Sequence, residues 1–450
     1  MKHIPLLLLF IALVAFYSEG LSAQNTGEPS PLYPQVEVDD KTSKSLFNGR
    51  NLKGWVNANC APETWIVKKG VLICSGIPTG VLRTDRHYEN FILELEWRHT
   101  KKEGNAGVFI HSDPLPVTGK PFTRAVECQV LDGNAGDLFA IQGATMTPYK
   151  PHPKGWMRAL PSEDRMKPLG EWNHYRIESL DGMVTLAVNG KVVSKGYHAN
   201  PRKGYICLES EGSEIHFRNI RIREMPSTDP HPDVVAKEDQ GFRSLYNGLD
   251  LRGWKMVKGH EGHWVAQDWT LDYDGQSEAG DDREDLWTKE KFRDFKLIVD
   301  WRFPDELVID EVPVILTDGS RARQADGGDL LIPVRDAGDS GIYLRGESRY
   351  QLNMWAWPVG SGEVYAIRRD TTLSPQVRRG VTPILNADRP LGQWNRFEIT
   401  LVGDRVTVVL NGKTVLRDAQ LPGIAKSGPI ALQHHGDHVQ FANIYIKELD

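Results

Sequence analysis

"VTLAVNGKVV" spans Val184–Val193, and "VTVVLNGKTV" spans Val406–Val415. Each stretch places two short apolar, β-branched runs around an Asn-Gly pair. Asn and Gly accept positive φ, so this arrangement reads as a β-hairpin closed by a type I′ turn. The phrase occurs twice, about two hundred residues apart. Its reading decides two things together: the fold is built of β-hairpins, and the chain is a duplication.

Other pairs recur in the same order on either side of the hairpin. "SLFNGRNLKGW" (Ser45–Trp55) matches "SLYNGLDLRGW" (Ser244–Trp254), and "FILELEWR" (Phe91–Arg98) matches "FKLIVDWR" (Phe295–Arg302). "NAGVFIH" (Asn105–His111) matches "DSGIYLR" (Asp339–Arg345). "LGEWNHYRIE" (Leu169–Glu178) matches "LGQWNRFEIT" (Leu391–Thr400), and "IHFRNIRIRE" (Ile215–Glu224) matches "VQFANIYIKE" (Val439–Glu448). The period is far longer than a solenoid repeat, so each copy is a whole domain. In "ILELEWR", apolar Leu93, Leu95 and Trp97 alternate with Glu94, Glu96 and Arg98. Long helical patterns are absent. Short alternating strands separated by Gly and Asn turns indicate an all-β chain: two jelly-roll β-sandwiches in tandem, each with a concave polar face.

The expected boundaries follow. Residues 1–23 read as a signal peptide, 24–43 as a linker, 44–225 as the first domain, 226–241 as a second linker and 242–450 as the second domain. The second linker lies within the polar, Pro-rich "EMPSTDPHPDVVAKEDQGF" (Glu224–Phe242). The second copy also carries an insertion, "DELVIDEVPVILTDGSRARQADGGDLLIPVRD", read as a long loop or added hairpin near its binding face.

A chain of 450 residues with 40% hydrophobic and 25% charged residues has the composition of a soluble globular protein. Its net charge of −6 argues against a nucleic-acid partner, which would favour a basic surplus. At the N-terminus, Lys2 and His3 precede "IPLLLLFIALVAF", and "LSAQ" offers small residues for cleavage after Ala23. The run is too short for a membrane span, no Cys follows it to carry a lipid, and no other stretch is apolar enough to cross a bilayer. A secreted or periplasmic protein is expected. The four Cys are Cys60, Cys74, Cys128 and Cys207. Their spacing has no metal-site pattern, and Cys60 with Cys74 is a plausible bridge. The thirteen Trp suit sugar stacking as well as core packing. Trp156, Trp172, Trp355, Trp357 and Trp394 are noted for that reason, with Trp172 and Trp394 expected in the core.

The ordered phrases, with the NGK hairpins, "EWN/QWN" and "LQHHG" (Leu432–Gly436), resemble the 3-keto-disaccharide hydrolase domain family. The resemblance covers nearly all of the chain after the leader, once per copy. It implies a concanavalin A-like jelly roll, as in laminarinase-type glucanases and lectins, and action on sugars oxidised at C3. The family keeps an "LQ-x-HG" motif, present here only in the second copy as Gln433 and His435; the first copy has Glu209 and Glu211. The Glu and Gln of a "Y-E-x-Q" strand stand in the first copy as Glu127 and Gln129 and become Gln351 and Asn353 in the second. Neither copy has the full pattern, so which one is catalytic stays open.

Strand alternation carries the chemical reading, because residues two apart share a face. Glu127 with Gln129, Glu209 with Glu211, and Phe109 with His111 are paired in the first copy. Gln351 with Asn353, Gln433 with His435, and Tyr343 with Arg345 answer them in the second. The first set gathers three carboxylates and a His. Glu127, Glu209 and Glu211 can hold a divalent cation such as calcium through oxygen ligands. Alternatively, Glu127, Glu211 and His111 can supply acid–base chemistry. The second set, Arg345, Gln351, Asn353 and Gln433, suits hydrogen bonding to a sugar, with Gln129 and Glu209 as further substrate contacts and His435 as an acid or base. A plain hydrogen-bonded strand surface would use the same residue types. A ketone at C3 acidifies the C2 proton, so a base can form an enolate, the C1 substituent can leave, and water can add to the enone. Ordinary retaining glycosidases use two carboxylates differently. The glucanase motif E-x-D-x-x-E is missing, as are G-x-S-x-G, the P-loop and H-E-x-x-H. Three readings remain: a 3-keto-glycoside hydrolase or lyase, a carbohydrate-binding protein without catalysis, and an interaction module of a polysaccharide-uptake system. The first requires acid–base groups in one pocket. The second requires aromatic platforms without perturbed carboxylates.

Overall fold

The computed structural model describes residues 42–280, 284–304, 308–336 and 338–449. The expected signal peptide lies outside them, as does all but the end of the first linker. Among the described residues the chain is nearly all-β. The first copy forms a nine-stranded and a seven-stranded sheet, the second an eight-stranded and a five-stranded sheet. In each larger sheet the alternating strand seen in the sequence is central. Phe91–His99 lies between Asn173–Leu180 and Ile215–Glu224, and Phe295–Arg302 lies between Asn395–Val402 and Val439–Glu448, all antiparallel. The hairpin turns have the expected hand: φ is 47° at Asn189 and 86° at Gly190, and 51° at Asn411 and 79° at Gly412.

Alternation builds the core. Leu93, Leu95 and Trp97 of the larger sheet are buried in one cluster with Val108, Ile110, Val126 and Leu208 of the smaller one. Each such side chain contributes roughly 1.5–3 kcal/mol by leaving water. Leu297, Val299, Trp301, Ile342, Leu352 and Leu432 repeat the arrangement in the second copy. The opposite face of each smaller sheet carries the polar site residues, and in the first copy it also buries a second apolar cluster of Val81, Phe109, Ala125, Tyr205 and Cys207.

Two site expectations fail at one structural device. His111 has φ 56° and Arg345 has φ 50°, and the ladder register shifts beside both. Such a bulge breaks the two-residue period. His111 therefore does not share the face of Phe109. It is fully buried, packs edge-on to Phe91 and hydrogen-bonds the Ser179 hydroxyl across the sandwich at 2.9 Å. Arg345 is likewise buried and structural. It donates to the carbonyls of Arg293 (2.6 Å), Gly403 (2.6 Å) and Ala425 (3.1 Å), and pairs with Asp294 at 2.8 Å. It is a clamp for loop carbonyls and does not join His435.

The expected Cys60–Cys74 bridge is not formed; all four cysteines are free, buried thiols. Trp172 and Trp394 are not core residues either. Trp172 is capped by the guanidinium groups of Arg98 and Arg218 at 4.6 and 4.0 Å on the outer side of the larger sheet. The insertion forms a hairpin of its own, Val308–Pro313 with Leu331–Asp336.

The copies make one compact unit, Thr42–Asp450. Asp300, fully buried on the larger sheet of the second copy, takes two bonds from Arg396 (2.6 and 2.9 Å) and one from Asn443 (2.7 Å). It also accepts the Gly119 N–H of the first copy at 2.8 Å. Arg396 and Asn443 then hold the carbonyls of Pro116, Val117 and Lys120. A Cβ on Gly119 would collide with Trp394 at 2.2 Å, so only glycine permits this approach. The linker runs back along the first copy, where Asp239 pairs with buried Arg83 at 2.6 Å.

Candidate active site

The strands Gly107–Ser112, Ala125–Gln129 and Tyr205–Ser210 of the first copy place the acidic residues. Gly107 sits opposite Gln129, Phe109 opposite Glu127, and Asn105 bridges to Glu211. Gly107 is the floor. A Cβ there would lie 2.8 Å from Glu209 Oε2 and 2.9 Å from Glu127 Oε1, so the two carboxyls lie over a residue with no side chain. Glu127 is 6% and Glu209 2% exposed. Gln129 donates to Asn105 Oδ1 at 2.7 Å, and Asn105 Nδ2 donates to Glu211 Oε2. Behind them Arg158 pairs with fully buried Asp137. The structure thus brings Glu127, Gln129, Glu209 and Glu211 together, and adds Asn105, Asp137 and Arg158, which the sequence reading did not single out.

Electrostatics separate these acids from ordinary surface carboxylates. Burial, reinforced by the nearby Glu211, pushes Glu127 up to about 8. Burial and the charges of Glu127 and Glu211 hold Glu209 well above the usual carboxylate range. Burial also raises Glu211, against the Asn105 hydrogen bond that favours its charge. Asp268 of the second copy adds to the rise at Glu211 and anchors itself by accepting the Thr79 N–H at 2.6 Å. Three mutually repelling acids in a dry site cannot all ionise at neutral pH, so the cluster carries exchangeable protons.

The residues do not fit a calcium ion. Among the described residues no three His, Cys, Asp or Glu side chains are arranged to hold a metal. Glu209 Oε2 is buried and unpartnered. The chemistry below is therefore derived from protons alone.

An aromatic wall borders the cluster. Phe139 sits opposite Glu127 in the ladder; Trp156 stacks on it at 6.4 Å and on His152 at 4.4 Å. Trp156 is 44% exposed and offers a face to a ligand.

The second copy has the same frame with different chemistry. Gly341 takes the place of Gly107, Gln351 and Gln433 replace the two carboxylates, and Gln351 Nε2 donates to Gln433 Oε1 at 2.5 Å. Asn353 is 3% exposed and its Oδ1 lacks a partner. His435 lies 3.8 Å from Asp437 and 3.9 Å from Asp339, and the Asp437 hydrogen bond raises its pKa. Trp287 packs beside Tyr343 at 5.7 Å, giving this face an aromatic platform. Trp287 stands where the first copy has Arg83, a signal available from the repeat alignment.

A family model described as the 3-keto-alpha-glucoside-1,2-lyase-like domain matches residues 42–223 and again 241–447. The chain belongs to this family. Membership makes it a carbohydrate-active, glycoside hydrolase-type enzyme with two tandem copies of the domain. A 3-keto-disaccharide hydrolase of Bacteroides thetaiotaomicron is 24% identical over 238 residues, covering 42% of this chain and 80% of that protein. Two candidate glycosyl hydrolases of known structure from Parabacteroides distasonis are also similar. One is 22% identical with a TM-score of 0.34, over 41% of this chain and 95% of its own. The other is 26% identical with a TM-score of 0.31, over 41% of this chain and 99% of its own.

Proposed function

We propose that the first copy cleaves 3-keto-glycosides by elimination and hydration, and that the second binds sugar beside it. The observation that carries this reading is the convergence of Glu127 and Glu209 over Gly107 with Glu211 alongside, all shifted toward protonation. Glu127, ionised in its active form, takes the C2 proton of the 3-keto sugar. The C2–H electron pair forms the enolate, whose negative charge rests on the C3 oxygen. A protonated neighbour, Glu209 or Glu211, gives its proton to the glycosidic oxygen as the C1–O bond breaks. Water then adds to C1 of the enone and gives its proton to the carboxylate that served the leaving group, while Glu127, its proton exchanged with solvent, protonates C2. The sum is hydrolysis. Gln129 and Asn105 fix Glu211, and Arg158 beside Asp137 supplies positive charge near the base.

The second copy lacks paired carboxylates over its glycine. Gln351, Gln433 and Asn353 with Trp287 and Tyr343 suit hydrogen bonding and stacking on a sugar ring. His435, backed by Asp437 and Asp339, is its acid-base group. The leader-like N-terminus supports a site of action outside the cytoplasm.

The test is turnover of a 3-keto-disaccharide and its unoxidised parent by the full chain in deuterated water. Cleavage of the keto sugar alone, with deuterium at C2 above an enzyme-free control, is expected. Cleavage without C2 label refutes elimination, and inertness toward both sugars favours pure binding.

A further inference from the structure

The duplication allows one crevice to be compared in two versions. At the end of the first sandwich, Trp97, His99, Met166 and Lys167 close around about 10 Å³. At the equivalent place in the second, Trp301, Phe303, Asp388 and Arg389 surround about 290 Å³. The phrases "MKPLGEWN" and "DRPLGQWN" set Met166 against Asp388 and Lys167 against Arg389. The second crevice gains Trp355, stacked on Trp357 at 4.1 Å and 3°, with its Nε1 donating to the Gly360 carbonyl at 3.0 Å. It also gains Arg335, from the inserted strand Leu331–Asp336 that the first copy lacks.

A space of this size holds on the order of ten waters and lies near the lower end of small-molecule sites. Its lining contains an unanswered donor and an unanswered acceptor. Trp301, 2% exposed, has no partner for Nε1, and Asp388 has none for Oδ1. The other Asp388 oxygen accepts the Ser361 N–H at 2.8 Å, which fixes the carboxyl. Buried polar groups left unpaired are costly, and a hydroxyl-bearing ligand answers both, since each hydroxyl donates and accepts. Trp355, 3% exposed and covered on one face by Trp357, forms a rigid apolar boundary of the crevice. Arg335 and Arg389 line the crevice against the single carboxyl of Asp388; Arg389 donates to the Trp394 carbonyl at 3.1 Å, and among the described residues no side chain pairs with Arg335. The mouth therefore favours a negative substituent.

We propose that this crevice is a further sugar site, taking one pyranose residue that carries a carboxylate, a hexuronate. Its hydroxyls meet Trp301 Nε1 and Asp388, and its carboxylate meets Arg335 and Arg389. The site shares no lining residue with the face of Gln351, Asn353, Gln433 and His435.

Calorimetric titration of the full chain with methyl β-glucuronide and methyl β-glucoside tests it. The glucuronide is expected to bind at least tenfold more tightly. Arg335→Ala and Asp388→Met are each expected to weaken it at least tenfold while turnover of the 3-keto-disaccharide stays unchanged. Asp388→Met installs the residue that the first copy already holds there, and the surface change Arg335→Ala provides an independent arm if that variant melts early. Absence of glucuronide binding, equal binding of the two glycosides, or binding that survives both substitutions overturns the proposal.

Discussion

Replacing Glu127 by Gln should make the protein more stable and inactive, and the stability gain should depend on pH. Glu127 is shifted from 4.5 to about 8 by burial and by Glu211. In the unfolded chain it is ionised at pH 7, so folding takes up a proton. With the folded value raised, the folded state binds more protons between pH 4.5 and 8, and stability falls as pH rises through that window. At about 1.36 kcal/mol per pKa unit, the penalty is about 3 kcal/mol at pH 7, about 5 kcal/mol above pH 8, and near zero below pH 4.5. Glutamine has the same shape and needs no proton. Thermal melts of the two proteins should coincide near pH 4 and separate by several degrees at pH 8, with Glu127→Gln the higher. Ketosugar turnover by the wild type should rise with pH through about 8 and be lost in the variant. A pH-independent offset, a variant less stable at pH 8, or retained turnover would refute the argument.

Burial holds His111 down to about 4, so the wild type should lose up to about 3 kcal/mol as pH falls from 6.5 to 4; His111→Asn should flatten that limb in acid melts. Arg345→Ala should cost about 3–5 kcal/mol by stranding Asp294 and three carbonyls, with KM unchanged in the folded fraction. Gly107→Ala drives a methyl into Glu127 and Glu209 and should lower kcat about a hundredfold, with only a modest change in the melt.

The β fold and its doubling were legible because both rest on local signals, the Asn-Gly turns and two-residue alternation. The acidic cluster was legible for the same reason: Glu127, Gln129 and Glu209 lie on regular stretches of strand. His111 and Arg345 were misread because a bulge adds one residue to its strand and so flips the faces beyond it, and nothing in "VFIHS" or "IYLRG" announces it. Asn105, Asp137 and Arg158 stayed invisible because their partners are Glu211, each other and the base, in segments joined only by sheet pairing. Trp394 was misplaced because its neighbour, Gly119, belongs to the other copy.

Asp300 gives the duplication a direction. Its carboxylate is buried from solvent, neutralised by Arg396 of its own copy and hydrogen-bonded by the Gly119 N–H of the other. A gene fragment encoding only the second jelly roll would bare a seam evolved for permanent cover, and one encoding only the first would lose the anchor of residues 116–120. The ancestral single domain must have folded without this seam. Engineering on this scaffold therefore has to treat the pair as one unit.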